Sequence, residues 1–377
     1  MVTETIRSMH DRVILLADFD YFFAQCEELR NPSLKDRPVV VCVYSGRSED
    51  SGAVSTANYV ARKYGVNSGI PISLAKKRLE NVEAVFLPVD HPFYEKVSGE
   101  IMSILRTYAD RFEQVGIDEA FLDVGQRVDG SFDAAKTLAI EIKESVRAQK
   151  KLTCSIGVGP NKLVAKIAAD FQKPNGLTIV TPDQVKSFLA PLPIGDLIGV
   201  GIKTKEKMQT LGINTVGDLA QRDVQRLVEI FGKSQGTYFH YASMGMDNEP
   251  VAEKGETESI SRIATLKEDT MELEAIIDKT NQLCDDVYAD LSRRKLGFRT
   301  IGIIAILTDL SGHTRSITFE DPKDDLAFLK QKIKELIEKF LPESKLRVRR
   351  VGVKVSGLTK EPESQKQLTS FLGSDDG

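Results

Sequence analysis

The fold is decided by the stretch VILLADFDYFF, residues 13–23, taken together with FEQVGIDEAFLDV, residues 112–124. The first stretch is an apolar run that predicts a buried strand, and it ends with Asp18 and Asp20 among aromatic residues. The second predicts two short strands that meet around Asp118 and Glu119. The edge of a hydrophobic core is a poor place for carboxylates unless a positive group meets them. The two stretches therefore raise the question of which cation they bind.

The elements around these strands follow a recognisable order. Apolar residues at spacings of three and four predict helices over residues 91–111 and 131–150, and LTCSIGV, residues 152–158, predicts a last strand. The order β-α-β-β-α-β is that of a split ferredoxin-like unit. Residues 22–87, with their own strand PVVVCV and short helices, are predicted to be an insertion after the first strand.

The second half of the chain repeats this element order. Short helices are predicted for residues 174–242, and residues 243–254 are predicted to be a linker. Residues 255–356 again follow the order β-α-β-β-α-β, without an evident repeat of the sequence. Residues 357–377 are polar and acidic and predict a disordered tail. The predicted fold class is therefore α+β.

Composition and charge exclude several classes of protein. The 377 residues are 41% hydrophobic and 28% charged, as in a soluble globular protein of two to four units. No apolar run reaches the roughly 18 residues of a membrane span, and the N-terminus has no signal region, so we expect a cytoplasmic protein without membrane contact. The net charge of −4 is compatible with a nucleic-acid enzyme whose cations are clustered locally. The four cysteines and four histidines are dispersed along the sequence and form no metal-binding motif. Any metal ion is therefore expected to be held by oxygen ligands.

The predicted topology brings three carboxylates together. In a split ferredoxin-like sheet the first strand and the strand after the hairpin are central neighbours, so Asp18 is expected beside Asp118 and Glu119. Two carboxylates 4 Å apart repel by about 4 kcal/mol at an effective dielectric constant of 20, and oxygen-only ligands suit Mg²⁺. Alternatively, Asp18 caps a helix and the other two belong to a polar turn, but their combination favours a metal site. Asp20 is predicted to be a helix N-cap.

Two further stretches supply groups that bind phosphate. STANYVARKYG, residues 55–65, places Tyr59 and Arg62 on one helical face, with Thr56 near the start of the helix. In NKLVAKIAADFQKPNG, residues 161–176, the apolar residues occupy one side of a helix and leave Lys166 to point elsewhere. Arginine, lysine and a hydroxyl beside bound metal are what a triphosphate requires. The alternative for Arg62 and Lys166 is a solvated helix surface.

Five motifs together resemble the Y family of DNA polymerases, of the archaeal-like polymerase IV type: ADFDYFFAQCE, STANYVARKYG, GIDEAFLDV, SIGVGPNKLVAKIAADFQKPNG and GVGIKTKEKMQTLGI. The resemblance extends from about residue 11 to residue 356, with the motifs in the family's order. It implies a right-hand polymerase with a ferredoxin-like palm (residues 1–21 and 88–173), small fingers (22–87), a helical thumb (174–242) with a helix-hairpin-helix motif near residues 198–211, and a little finger (255–356).

The resemblance also implies roles for individual residues. The catalytic and metal-binding groups, which would hold two Mg²⁺ ions, are Asp18, the Phe19 carbonyl, Asp118 and Glu119. The implied nucleotide contacts are Thr56, Tyr59, Arg62, Lys166 and, as a steric gate against a ribose 2′-hydroxyl, Phe23. The small residues over the nascent base pair are Val43, Ala53, Ser55 and Gly69, where Ser55 replaces an alanine common in the family. The implied activity is low-fidelity, template-directed addition of deoxynucleotides to a primer 3′-hydroxyl, with bypass of damaged bases and without proofreading.

Contacts with DNA and with other proteins are predicted in three places. Gly199 and Gly201, in GVG before a helix, would let backbone N–H groups approach a phosphate. The cations expected on DNA phosphates, unless they are a solvated face, are Arg294, Arg299, Arg347 and Arg349. In the tail, QKQLTSFL resembles a sliding-clamp-binding peptide with anchors Gln365, Leu368, Phe371 and Leu372. The expected partners of a monomeric enzyme are therefore primer-template DNA, deoxynucleoside triphosphates and a sliding clamp.

Two other functions remain open from the sequence. A nucleotide cyclase also combines a ferredoxin-like sheet with two Mg²⁺ ions, but it leaves the GVG motif and the basic C-terminal unit without a role. A DNA-binding adaptor accounts for the basic strands but leaves the carboxylates, Arg62 and Lys166 without one.

Overall fold

The structure is a computed structural model that describes residues 12–253, 255 and 258–360. Contacts divide the chain into two compact units. The first comprises residues up to 43, 54–70 and 74–254, and the second comprises residues 44–53, 71–73 and those from 255 onward. Residues 44–53 and 71–73, which were predicted to belong to the fingers, therefore group with the C-terminal unit.

The elements of residues 12–253 follow the predicted order closely. The strands are β1 (Ile14–Phe19), β2 (Val39–Tyr44), β3 (Gly52–Ala57), β4 (Val85–Pro88), β5 (Arg111–Gln114), β6 (Glu119–Asp123), β7 (Cys154–Gly159) and β8 (Leu177–Ile179). The helices are α1 (Phe22–Arg30), α2 (Tyr59–Arg62), α3 (Ile72–Arg78), α4 (His91–Arg106), α5 (Phe132–Lys150), α6 (Lys162–Phe171), α7 (Val185–Leu189), α8 (Ile202–Thr210), α9 (Val216–Ala220), α10 (Val224–Phe231) and α11 (Lys233–Ser243).

A five-stranded sheet in the order β5-β6-β1-β7-β8 forms the centre of the first unit. Strand β1 is antiparallel to both β6 and β7, which confirms the prediction that the first strand and the strand after the hairpin are neighbours. Alternate residues of β1 pack into cores on both sheet faces, and this explains its uninterrupted apolar sequence. Gly157 lets α6 approach β7, since a Cβ there would lie 2.0 Å from the Ala165 carbonyl oxygen.

The predicted start of the thumb at residue 174 is too early. Strand β8 pairs in parallel with β7 and is the fifth strand of the central sheet. Three residues are too few for an alternating pattern to reveal a strand. Beyond it, helices α7 to α11 share a hydrophobic core with residues of α6, including Leu163 and Val164.

The second unit has its own β-α-β-β-α-β order, as predicted. Its elements are β9 (Ser259–Thr270), α12 (Leu273–Arg294), β10 (Leu296–Leu307), β11 (Gly312–Lys323), α13 (Leu326–Phe340), β12 (Val348–Ser356) and β13 (Thr359–Lys360). The four long strands form a sheet in the order β11-β10-β12-β9, and both helices contribute to its core. The fold class α+β is confirmed.

The predicted tail begins too early at residue 357. Gly357, with φ of +62°, turns the chain back, and its carbonyl accepts a hydrogen bond from the Arg299 backbone N–H. Leu358 packs against the core, and β13 then pairs with Leu296 and Gly297 of β10. Residues 357–360 therefore belong to the second unit rather than to a tail.

All four cysteines are buried and form no disulfide, as predicted for small core residues. Burial raises the pKa of Cys26, Cys154 and Cys284 to about 12 in each case. Among the helices of the described residues, none combines the length and the apolar character needed to cross a membrane.

Candidate active site

The antiparallel pairing of β1 with β6 brings the predicted carboxylates together. Asp18 is the register partner of Glu119, and the Phe19 backbone N–H donates a hydrogen bond to the Asp118 carbonyl oxygen at 2.9 Å. Asp18 is only 8% exposed. Three acidic residues from segments one hundred positions apart in sequence therefore meet at one end of the central strands.

The pKa values of Asp18 and Asp118 are raised mainly by burial. Burial raises the pKa of Asp18 to about 6, although the nearby Lys173 and Lys166 ammonium groups act in the opposite direction. Burial and the negative charge of Glu119 raise the pKa of Asp118. The charged forms of Asp18 and Asp118 are therefore less stable here than in water, and a bound cation would stabilise them.

Two lysine side chains lie against the carboxylates. The Lys173 Nζ lies 2.7 Å from Asp18 Oδ2 and 2.8 Å from Asp170. The Lys166 Nζ forms an ion pair with Glu119 and lies 3.9 Å from Asp18. Lys166 was predicted to approach the carboxylates, whereas Lys173 was missed because it lies just beyond the end of α6, where helical periodicity gives no information.

Asp20 explains how Lys173 is held in place. It was predicted to be the N-cap of α1, and this is wrong, since the cap position is occupied by Tyr21 in a left-handed conformation. The buried Asp20 carboxylate instead accepts hydrogen bonds from the hydroxyls of Thr153 and Ser155 and from the Asn175 backbone N–H. It therefore ties the segment that carries Lys173 to the central sheet.

The donor set is suited to a divalent cation. Within the described part of the chain, no three acidic, histidine or cysteine side chains are arranged around a common metal position. Ammonium groups contact both Asp18 and Glu119. The chemistry of the ligands nevertheless fits, since three clustered carboxylates are hard oxygen donors with excess negative charge. The residues present therefore fit a hard divalent ion such as Mg²⁺.

The predicted triphosphate contacts lie on the neighbouring segment. Tyr59 and Arg62 are the first and last residues of the short helix α2, and the Arg62 guanidinium lies 4.7 Å from the Tyr59 ring centroid. The pKa of Tyr59 is raised mainly by burial, and the charges of Asp18 and Lys173 also act on it. The helix is therefore within electrostatic range of the carboxylates. Thr56 lies on β3 rather than at the helix start, and Asn58 is the N-cap.

The predicted gate residue, Phe23, lies in the first turn of α1. Its ring is stacked on Tyr94, with the ring centroids 4.4 Å apart. The predicted small residues over the base pair are accessible to different extents: Val43 is 47% exposed, Ala53 and Gly69 are exposed, and Ser55 is half-buried.

A cleft of about 740 Å³ extends from Glu119 to the helical part of the first unit. Glu119, Lys166 and Lys162 line one side, and Ile198, Tyr238 and Tyr241 contribute further lining. Gly199, with φ of +85°, lies next to Ile198, and Gly201 is the N-cap of α8. The GVG motif therefore begins a helix, as predicted.

The predicted DNA-binding arginines differ in their surroundings. Arg294 lies in the last turn of α12, Arg299 and Arg347 are exposed, and Arg349 is 3.5 Å from Asp269. The anchors of the predicted clamp peptide, Gln365, Leu368, Phe371 and Leu372, lie outside the described residues.

Comparisons with known proteins agree with this arrangement. Residues 17–170 match the impB/mucB/samB family, residues 257–370 match the C-terminal domain of that family, and residues 195–247 match the thumb domain of DNA polymerase-iota. A DNA polymerase IV of Nitrosopumilus maritimus is 45% identical over 97% of this chain and 100% of its own length. A DNA polymerase IV of Saccharolobus solfataricus is 40% identical over 91% of this chain and 96% of its own.

Solved structures give the same result. A chimera of the Y-family DNA polymerases Dbh and Dpo4 is 36% identical, with a TM-score of 0.87 over 92% of this chain and 99% of the chimera. An insertion ternary complex of Dbh DNA polymerase is also 36% identical, with a TM-score of 0.66 over the same shares.

The fold and the site define a polymerase of the right-hand type, and the chain belongs to the impB/mucB/samB family, the Y family of DNA polymerases. It is a DNA-directed DNA polymerase of the translesion class, in a family that depends on divalent metal ions. The predicted resemblance is confirmed, and no finding favours the cyclase or the adaptor.

Proposed function

We propose that Asp18, Asp118 and Glu119 form the centre at which this polymerase transfers a nucleotidyl group to the primer 3′-hydroxyl. The observation that carries the proposal is the pairing of β1 with β6, which sets Asp18 opposite Glu119 in a largely buried position. Because backbone hydrogen bonds fix this spacing, the carboxylates cannot separate to relieve their repulsion. The site is therefore preorganised to bind a positively charged group.

Two Mg²⁺ ions are the proposed cofactors, held by the three carboxylates and by the Phe19 carbonyl. Bound ions of this type activate the attacking hydroxyl and stabilise charge on the leaving pyrophosphate. The chain itself orders the ligands through strand pairing and reduces competition from water by burying Asp18. No side chain is required as a nucleophile, since the primer supplies the attacking oxygen.

We assign the triphosphate to Arg62, Lys166 and Lys173, with Thr56 and Tyr59 as further contacts. The Arg62 Nε donates to the Ala57 carbonyl, which orients the guanidinium plane. The ammonium groups of Lys166 and Lys173 already contact the carboxylates, so they would also reach a phosphate bound there. Cations fixed in this way stabilise the charge that develops on the leaving group.

Substrate selection is assigned to Phe23 and to the small residues Val43, Ala53, Ser55 and Gly69. A bulky ring at Phe23 would occupy the space that a ribose 2′-hydroxyl needs. Small side chains over the base pair leave room for a distorted template base, and this supports low fidelity and lesion bypass. Gly69 adopts φ of +88°, a conformation that disfavours any larger residue there.

The DNA is proposed to lie along the cleft between the carboxylates and the GVG motif. Backbone N–H groups at Gly199 and Gly201 would bind a phosphate of the primer strand. In the second unit, Arg294, Arg299, Arg347 and Arg349 would contact the DNA backbone, without reading the bases.

A sliding clamp is the proposed protein partner. The support for it is the pattern Q-x-x-L-x-x-F-L, with Gln365, Leu368, Phe371 and Leu372, at the C-terminal end of the sequence. Deleting residues 365–377 should leave unassisted synthesis intact and abolish stimulation by the clamp. Equal stimulation of the truncated enzyme would exclude this partner.

Primer extension with Glu119→Gln tests the catalytic assignment. Glutamine keeps the size of the side chain and removes its charge, so the rate should fall by at least about 100-fold on undamaged and abasic templates. Glu141→Gln, an exposed change on α5, is the matched control and should keep the wild-type rate. Both variants should bind primer-template DNA as the wild type does. A Glu119→Gln enzyme that extends primers at the wild-type rate would refute the assignment.

A further inference from the structure

Lys143 is a half-buried lysine to which neither the mechanism nor the family resemblance gives a role. It lies on α5, and its Nζ donates hydrogen bonds to the carbonyl oxygens of Asn175 (2.6 Å) and Gly176 (2.7 Å). Within the described part of the chain, this ammonium group forms no ion pair with a carboxylate. Burial lowers its pKa, so the charged form is less stable here than in water. The two hydrogen bonds to carbonyl oxygens are therefore what this lysine contributes to the structure.

The two carbonyls belong to the turn that follows α6, just after Lys173. Asn175 has a left-handed backbone with φ of +54°, which is uncommon for a residue other than glycine. A Cβ at Gly176 would lie 2.3 Å from the Gln172 carbonyl oxygen, so the turn packs directly on the end of α6. A turn in this conformation keeps its shape only if the surrounding structure holds it.

Lys143 and Asp20 hold this turn through opposite kinds of backbone group. The Asp20 carboxylate accepts a hydrogen bond from the Asn175 N–H at 2.9 Å, whereas Lys143 donates to the carbonyl oxygens of Asn175 and Gly176. The central sheet adds a further contact, because the Gly176 carbonyl also accepts a hydrogen bond of 3.1 Å from the Ile156 N–H. The turn is therefore fixed between α5, the sheet and the end of α6, and Lys143 supplies the only one of these contacts that comes from α5 among those named.

We infer that Lys143 is a positioning residue for Lys173, whose ammonium group it keeps within reach of the triphosphate of an incoming nucleotide. The Lys173 Nζ lies 2.7 Å from Asp18 Oδ2, and Lys173 is only two residues before Asn175 in the sequence. Without Lys143, two carbonyl oxygens lose a charged donor, and the turn that fixes the Lys173 backbone is held less firmly. Lys143 acts from a separate helix and needs no contact with the nucleotide. This inference rests on the proposed assignment of Lys173 to the triphosphate.

The test is kcat/KM for a deoxynucleoside triphosphate in single-nucleotide primer extension, measured together with the Kd for primer-template DNA. Lys143→Met keeps an aliphatic side chain and removes the charged donor, so kcat/KM should fall by about tenfold, the factor expected for one hydrogen bond to a charged group. Lys143→Arg keeps a charged donor and should stay within about threefold of the wild type. Lys136→Met, the same change at an exposed position of α5, should keep the wild-type kcat/KM. The Kd for DNA should be unchanged in all three variants.

A double variant shows whether the effect acts through Lys173. Lys173→Met should itself lower kcat/KM, and adding Lys143→Met to it should cause no further fall. The inference is overturned if Lys143→Met keeps the wild-type kcat/KM, if it lowers kcat/KM equally in the Lys173→Met background, or if it weakens DNA binding to the same extent. If Lys143→Met does not fold, Lys143→Gln, which keeps a neutral donor, is measured against the same criteria.

Failure of the proposed function gives a different result. A wild-type kcat/KM in Lys173→Met would refute the assignment of Lys173 to the triphosphate, and this inference with it. A lowered kcat/KM in Lys173→Met beside a wild-type value in Lys143→Met would refute the inference alone. Absence of Glu119-dependent primer extension would refute the proposed active site.

Discussion

Replacing Asp18 with asparagine should stabilise the protein while it destroys the active site. The pKa of Asp18 is raised from 3.8 to about 6, mainly by burial, so the folded chain binds a proton there more tightly than the unfolded chain. At pH 7.5 the ionised carboxylate then costs about 3 kcal/mol, since each pH unit of difference corresponds to about 1.4 kcal/mol. This value already includes the attraction of Lys173, because that attraction contributes to the pKa.

The stability difference between Asp18→Asn and the wild type should depend on pH in a way that identifies its cause. A carboxyl group with a raised folded-state pKa destabilises the fold above that pKa, and the destabilisation disappears as the pH falls towards the unfolded value of 3.8. Asp18→Asn resembles the protonated form at every pH. The variant should therefore be more stable by about 3 kcal/mol at pH 7.5 but by only about 1 kcal/mol at pH 4.5.

Thermal unfolding in metal-free buffer measures this difference. For a unit of this size, about 3 kcal/mol corresponds to roughly 6–12 °C in the Tm of the transition that involves the first unit. Asp18→Asn should also lose primer extension, and Mg²⁺ with a nucleotide should raise the Tm of the wild type only. An equal Tm for the two proteins at pH 7.5, or a difference that does not change with pH, would refute the reasoning.

Three further predictions follow from single contacts. Asp20→Ala should lower the free energy of unfolding by about 3 kcal/mol in urea, because it leaves buried donors without an acceptor; a loss below about 1 kcal/mol would contradict this. Gly199→Ala should lower the free energy of unfolding by about 1–2 kcal/mol, because φ at this position is +85° and the added Cβ would lie 3.1 Å from the Tyr238 ring. The Cβ of Gly201→Ala would meet open space, so this variant should have the Tm of the wild type. Arg347→Ala should flatten the log–log salt dependence of duplex DNA binding by about 0.9, and an unchanged slope would exclude a phosphate contact.

The centre of the site could be predicted because it depends on topology alone. Apolar runs identified β1 and β6, and the split ferredoxin order made them neighbours, so Asp18 had to approach Asp118 and Glu119. A strand register is set by the alternation of buried residues and by the adjoining turn, and both are local features of the sequence. The same reasoning predicted the C-terminal sheet.

What the sequence did not reveal depends on contacts between distant segments. Asp20 looks like a helix cap in its local context, but its acceptors are satisfied by Thr153, Ser155 and Asn175, more than 130 residues away. No helical or strand pattern surrounds Lys173 in the sequence. Its position depends on the hydrogen bonds of Asp20, one of which comes from the backbone N–H of the nearby Asn175. Likewise, β13, which pairs with β10, is only two residues long, so its sequence is too short to show the alternation of buried and exposed residues that identifies a strand.

The burial of all four thiols has a practical consequence for experiments on motion. A thiol whose pKa is about 12 contains almost no thiolate at neutral pH, and only the thiolate reacts with maleimide dyes. Cys26, Cys154 and Cys284 should therefore give little background labelling, and burial limits the access of a dye to Cys42. One cysteine added at an exposed position of each unit would accept a donor and an acceptor fluorophore, so that the distance between the units could be followed in single molecules through a catalytic cycle.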